Sequence, residues 1–307
     1  MAALAALAGC GGGGVTRHKQ DDGEMREKLE SGEVTPNGEQ EDVESGGSAV
    51  GVAQENAEDE SEAEAEEVLN LAGTSFSILG DSISTFEGYN PEGYYAFFPG
   101  NGEVTDVADT WWRRAADDLG LVLYVNGSSS GSMAAGDSTG TENPQCACNE
   151  LRVSALSGPD GACPDRIVIY MGTNDMLTTV PLGDNDGTSP VEEGVVDTFS
   201  DAYTLMLDKL QANYPSAKLY CCTLLPIGDY GVETPYVEFV NGARLAAADY
   251  GAVIARIAKN RGLSVIDLYD CGVTIENLQE MTTDGVHPNA AGMRCIAEAV
   301  EKALAGE

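Results

Sequence analysis

All 20 aromatic residues of this 307-residue chain lie at or beyond Phe76, so the first 75 positions hold no Phe, Tyr or Trp. The aliphatic residues of that stretch are diluted by Gly, Ser and acidic side chains. Residues 1–70 carry 18 Asp and Glu against Arg17, Lys19, Arg26 and Lys28, a net charge of -14. Such a composition cannot bury enough apolar surface to offset the entropy of ordering the backbone. Residues 11–70 therefore read as a disordered acidic linker, with a solvated helix around 60–70 (ESEAEAEEVLN) as the alternative. Folding is left to residues 71–307, a length that suits one domain with a sizeable core.

The whole chain has a formal net charge of -35. A surface of that sign repels a phosphate backbone and an anionic leaflet, so nucleic acid is not expected as a partner. No run of about 18 apolar residues offers a membrane span. The opening MAALAALAGC is followed by four glycines, and Leu7-Ala8-Gly9-Cys10 has the form of a bacterial lipoprotein cleavage box. The apolar run is short and no Lys or Arg precedes it, as in a signal whose beginning is missing. Residues 1–10 are thus expected to be a truncated lipoprotein signal remnant with a lipid anchor at Cys10. That would place the protein outside the cytoplasm, at the cell surface or secreted. An incidental Ala-rich start on a cytoplasmic protein is the competing reading.

Eight cysteines leave the redox compartment open. Cys221 and Cys222 fall in a strand-like run and Cys295 on a helical one, as core thiols would. Cys146, Cys148, Cys163 and Cys271 fall in loop-like segments and could pair under oxidising conditions. The Cys146–Cys148 spacing is too tight for the usual zinc knuckle, and the chain has only two histidines. Neither a metal nor a cofactor is expected.

From residue 74 onward, short apolar runs alternate with longer helical periods. Strands are predicted at 74–80, 121–127, 165–172, 217–225 and 263–269, and helices at 107–120, 195–213, 236–260 and 289–304. Strands separated by helices of this length argue for an α/β sandwich around a five-stranded, mainly parallel sheet. The segments 132–164 and 176–194 are long for such connections and are candidates for shaping a pocket.

In a parallel α/β sheet, ligands bind beyond the carboxyl ends of the strands. GDSIS (80–84) follows the first strand there and offers Ser82 at a turn. A serine hydroxyl attacks a carbonyl only if a neighbouring base takes its proton. His18 lies in the aromatic-free stretch, which leaves His287 in DGVHP (284–288) as the base. Asp284 stands three residues earlier, a spacing that can bring its carboxylate to the imidazole Nδ1–H. Donors for a developing oxyanion are the backbone N–H of Ser82, the backbone N–H near Ser128, and the side-chain amide of Asn174 in GTND (172–175).

At these residues the sequence resembles the SGNH, or GDSL-type, hydrolase superfamily. GDSIS, GTND and DGVHP match three of its four blocks in order, and Asn126–Gly131 (NGSSSG) stands at the second, with Ser128 in place of the oxyanion glycine. That substitution keeps a backbone N–H and leaves the contact to Gly127, Ser128 or Ser129. The resemblance implies a three-layer α/β/α sandwich, flavodoxin-like in outline, and a serine esterase working through an acyl-enzyme. The ester would be a small molecule or a glycan, with acetyl or short-acyl groups on carbohydrate favoured. Lipase or lysophospholipase, thioesterase, acyltransferase and a non-enzymatic surface module are the alternatives. Aromatics at Phe86, Tyr89, Tyr94, Tyr95, Phe97, Phe98, Trp111 and Trp112 either flank the cleft as sugar platforms or fill a core, and 88–102 reads as a surface loop.

Overall fold

The continuous apolar runs become the strands of one parallel sheet. The computed structural model describes residues 70–140, 146–229 and 235–306; the expectations for residues 1–10 and for the linker 11–70, all but its last residue, lie outside them. Five strands form the sheet: β1 (Ser75–Gly80), β2 (Val122–Asn126), β4 (Arg166–Tyr170), β6 (Lys218–Cys222) and β7 (Ser264–Ile266). Their order is β2-β1-β4-β6-β7 and every pairing is parallel. Every residue of β1 and β4 is buried, as runs covered on both faces must be. The order reverses direction between β1 and β4, so a crevice opens beyond their carboxyl ends. A two-residue pair, β3 (Gly136–Asp137) with β5 (Val195–Val196), forms a separate antiparallel ribbon.

Helices cover both faces, giving the expected three layers. The helix α1 (Trp111–Leu119) packs against α7 (Ala290–Ala305), while α4 (Phe199–Asn213) packs with α5 (Ala247–Asn260) and the short α2 (Glu150–Val153). Two further short helices, α3 (Thr173–Leu177) and α6 (Leu278–Met281), sit at the strand ends. Gly120 ends α1 in the left-handed conformation at φ +67°, the stop that its position announces. Asn289 opens α7 by accepting the amides of Ala291 and Gly292.

Three predicted helices start later than expected, each for a local reason. Thr110 caps α1 through Arg113 N–H, so Val107–Asp109 becomes a separate 3-10 turn capped by Asp106. Residues 195 and 196 are taken by the ribbon, so α4 begins at Phe199. The segment 236–246 is held away from the helix by Asn241. Its Oδ1 accepts the amides of Ala243 and Leu245, and its Nδ2 donates to Met176 O and the Tyr250 hydroxyl. Arg244 takes φ +63° in that turn, and Asp249 then caps α5 at the Ala246 amide. The loop 176–194 follows α5 to its far end, where Asn260 donates to Asp186 O and Arg261 to Gly187 O. That course takes it away from the carboxyl ends of the strands.

All seven cysteines among the described residues are free thiols. Cys221 and Cys222 are enclosed in β6 as expected, and Cys146 and Cys148, which could have paired, are buried free thiols.

Candidate active site

The turn after β1 sets the first group. Asp81 accepts Ile83 N–H at 3.0 Å and starts the 3-10 turn Ser82–Ser84, which holds Ser82 at the strand end, only 4 % exposed. Two hundred residues later, Asp284 organises its own tight turn. Its Oδ1 accepts the amides of Val286 (3.0 Å) and His287 (2.8 Å), and Gly285 supplies the positive φ of +88° that the bend requires. The second oxygen, Oδ2, lies 2.8 Å from His287 Nδ1, and His287 Nε2 lies 2.9 Å from Ser82 Oγ. A carboxylate beside Nδ1 places the imidazole proton there, so Nε2 is free to accept from the Ser82 hydroxyl. Burial alone would raise the Asp284 carboxyl. The His287 ring and the two amides outweigh that and hold it below the usual range.

Asn174 reaches the same end of the sheet from α3. One of its Nδ2 protons goes to Ser132 O at 2.9 Å, and the second has no acceptor among the described residues. The second block departs from expectation. Gly127 N–H is consumed by Ile78 O (2.8 Å) and Ser129 N–H by Gly80 O (3.1 Å). Ser128 is fully enclosed, and its N–H turns to Asn126 Oδ1 at 3.3 Å, so no substrate oxygen can reach it. Ser130 N–H donates to Tyr95 O. Gly131 is the first residue of the block whose amide is given to nothing among the described residues, and it is exposed at φ +77°.

Three residues that sequence reasoning left unassigned support these groups. Arg152, completely buried, donates from Nη2 to Gly80 O (3.0 Å) and Gly127 O (2.7 Å), tying the ends of β1 and β2 together. Asp175 accepts the amides of Ala134 (2.8 Å) and Ala135 (2.9 Å), which fastens the segment after the second block to α3. Its place beside Asn174 in GTND was the available signal. Burial pushes both Asp81 and Asp175 up to about 6. The third is Phe97, whose ring lies flat on the His287 imidazole. Of the other aromatics, Phe86, Phe98, Trp111 and Trp112 are core, and Tyr94 lies over the Arg152 guanidinium. Tyr95 projects into solvent, 60 % exposed.

The sequence pattern of the GDSL-like Lipase/Acylhydrolase family matches residues 74–229, from β1 through the stretch beyond β6. The chain belongs to this family. Among solved structures, it is similar to a protein from Bacteroides ovatus described as a GDSL-like lipase. That match has 26 % identity and a TM-score of 0.53 over 75 % of this chain and 97 % of the other. A second protein so described, from Bacteroides uniformis, has 25 % identity and a TM-score of 0.54, covering 74 % and 93 % of the two chains. A Lactobacillus plantarum protein shares the fold at 24 % identity and a TM-score of 0.55, covering 75 % and 96 %. No curated protein matches the sequence. This GDSL-like chain is thus a hydrolase of the lipase/acylhydrolase family.

Proposed function

We propose that the protein is a serine esterase acting on acetyl or short-acyl esters of carbohydrates. The observation that carries this reading is the unbroken hydrogen-bonded line from Ser82 through His287 to Asp284. Ser82 Oγ attacks the ester carbonyl while its proton passes to His287 Nε2, and Asp284 steadies the imidazolium. The tetrahedral oxyanion is met by the amides of Ser82 and Gly131 and by the free Nδ2 proton of Asn174. His287 then protonates the departing alcohol, and the alkoxy group leaves the acyl-enzyme. A water attacks that ester with His287 again as base, releasing the acid and restoring Ser82.

Support for a sugar as the alcohol part comes from Tyr95. Its backbone is fastened to the second block, its carbonyl accepting Ser130 N–H (2.7 Å) and its own N–H donating to Ser129 Oγ (3.2 Å). The ring beyond is exposed, with no aromatic neighbour among the described residues, as a stacking platform for a sugar face would be. The test is a panel of acetylated sugars, alkyl acetates and longer acyl esters, assayed on wild type and Ser82→Ala. Turnover of acetylated sugars by wild type alone, with Tyr95→Ala raising KM for them but not for an alkyl acetate, is the expected result. Activity surviving in a folded Ser82→Ala sinks the mechanism. A preference for long acyl chains assigns a lipase, and a sugar acceptor outcompeting water assigns an acyltransferase.

A further inference from the structure

The centroids of Phe97 and His287 are 3.6 Å apart and their planes differ by 9°. Two neutral rings in that face-to-face arrangement set like quadrupoles against each other and gain by sliding or tilting. An imidazolium gains from the same position, because its charge is drawn to the negative face of the benzene ring. We propose that Phe97 is a positioning residue that favours the protonated form of His287, the form present while the tetrahedral intermediates exist. This deepens the esterase reading and rests on His287 acting as its base.

The seat of the Phe97 ring is built from the segment that carries the nucleophile. Phe97 N–H donates to Thr85 Oγ1 (2.8 Å), and that hydroxyl donates to Ser82 O (2.8 Å). Phe98, fully buried, meets Phe97 edge-on at 4.9 Å and 79°. Around the imidazole, Asp284 occupies Nδ1 and Ser82 occupies Nε2. The charge of Asp81 acts from beneath the Ser82 turn, and Tyr236 packs close to Gly285. Both ring nitrogens are therefore committed, and a ring face is the remaining place from which charge on His287 can be stabilised. Phe97 exchanges no proton. The Ser82 proton moves to Nε2 as the Oγ–C bond forms, and leaves again with the alcohol.

Two replacements separate charge stabilisation from simple cover. Phe97→Leu keeps an apolar lid and removes the quadrupole, whereas pentafluorophenylalanine at 97 keeps the shape and inverts it. Each is expected to lower kcat roughly 5- to 20-fold with KM little changed, as loss of an interaction made in the transition state does. The acid limb of the kcat/KM profile should move to lower pH in both, and Phe97→Tyr should hold it in place. The His287 ring-proton resonance should titrate at lower pH in F97L than in wild type. That measurement uses no substrate, so it stands or falls separately from the Ser82→Ala assay of the esterase reading. Should F97L not fold, the fluorinated protein carries both measurements. A limb and a titration that stay put, or move to higher pH, overturn the proposal and leave Phe97 as a cover that excludes water.

Discussion

His287 sits where it does because Asp284 makes three bonds at once, two to backbone amides and one to the imidazole. Asp284→Asn would keep the turn but offer its own N–H to Nδ1, leaving the imidazole proton facing Ser82. A loss of roughly 10³–10⁴ in kcat is expected from the wrong tautomer, measured in steady-state assays beside circular dichroism showing an intact fold. On the mechanism proposed above, Asn174→Ala removes one oxyanion donor and should cost roughly 10²–10³ in kcat. Its free proton predicts that the loss falls on kcat rather than KM. That Ser82, Asn174, Asp284 and His287 would meet at one end of the sheet was legible in the sequence, because side-chain chemistry and one usable imidazole narrowed the choice. Which backbone amide of the second block is left open was not. Gly127, Ser128 and Ser129 differ from Gly131 only in which carbonyl each N–H meets, and that depends on β1 and Tyr95 lying alongside. The Phe97 stack was hidden for the same reason, since its partner is 190 positions away.

At the scale of elements, the strands were legible to within a few residues because burial on both faces leaves a continuous apolar run. Helix starts were less so. The helical pattern of 236–260 continues through residues that Asn241 removes from the helix by tertiary bonds to Met176 and Tyr250. The apolar pair at 195–196 was equally compatible with a helix until Gly136 and Asp137 offered a partner. Asp175 shows how one side chain couples elements, since it carries α3 and the 134–135 segment together. Asp175→Ala strands two buried amides and should destabilise the fold by about 2–4 kcal/mol, read from urea denaturation. Because Ser132, which holds Asn174, adjoins that segment, kcat should fall as well even where the variant remains folded.

For the whole molecule, two buried carboxyls make stability depend on pH in an unusual direction. Asp81 and Asp175 are raised from 3.8 to about 6 by burial, and the charge of Asp81 adds to the effect on Asp175. Between those values the native state binds more protons than the unfolded chain, so stability falls as pH rises through the window. Above about pH 6 the two ionised groups cost on the order of 3 kcal/mol each. Asp284 is lowered, so its contribution is present above its unfolded value and lost only as pH drops below that range. The urea midpoint should therefore climb as pH is lowered from 7.5 to 5 and decline in stronger acid. Asp175→Asn should flatten the upper part of that curve, which separates its effect from relief of the general negative charge. The reacting groups also come from opposite ends of the folded chain, with 205 positions between Ser82 and His287. During synthesis, a ribosome that has not yet delivered residue 287 holds a nucleophile without its base. On the esterase reading proposed above, Ser82 thus gains its base only once residue 287 has been made and has folded back onto the turn after β1.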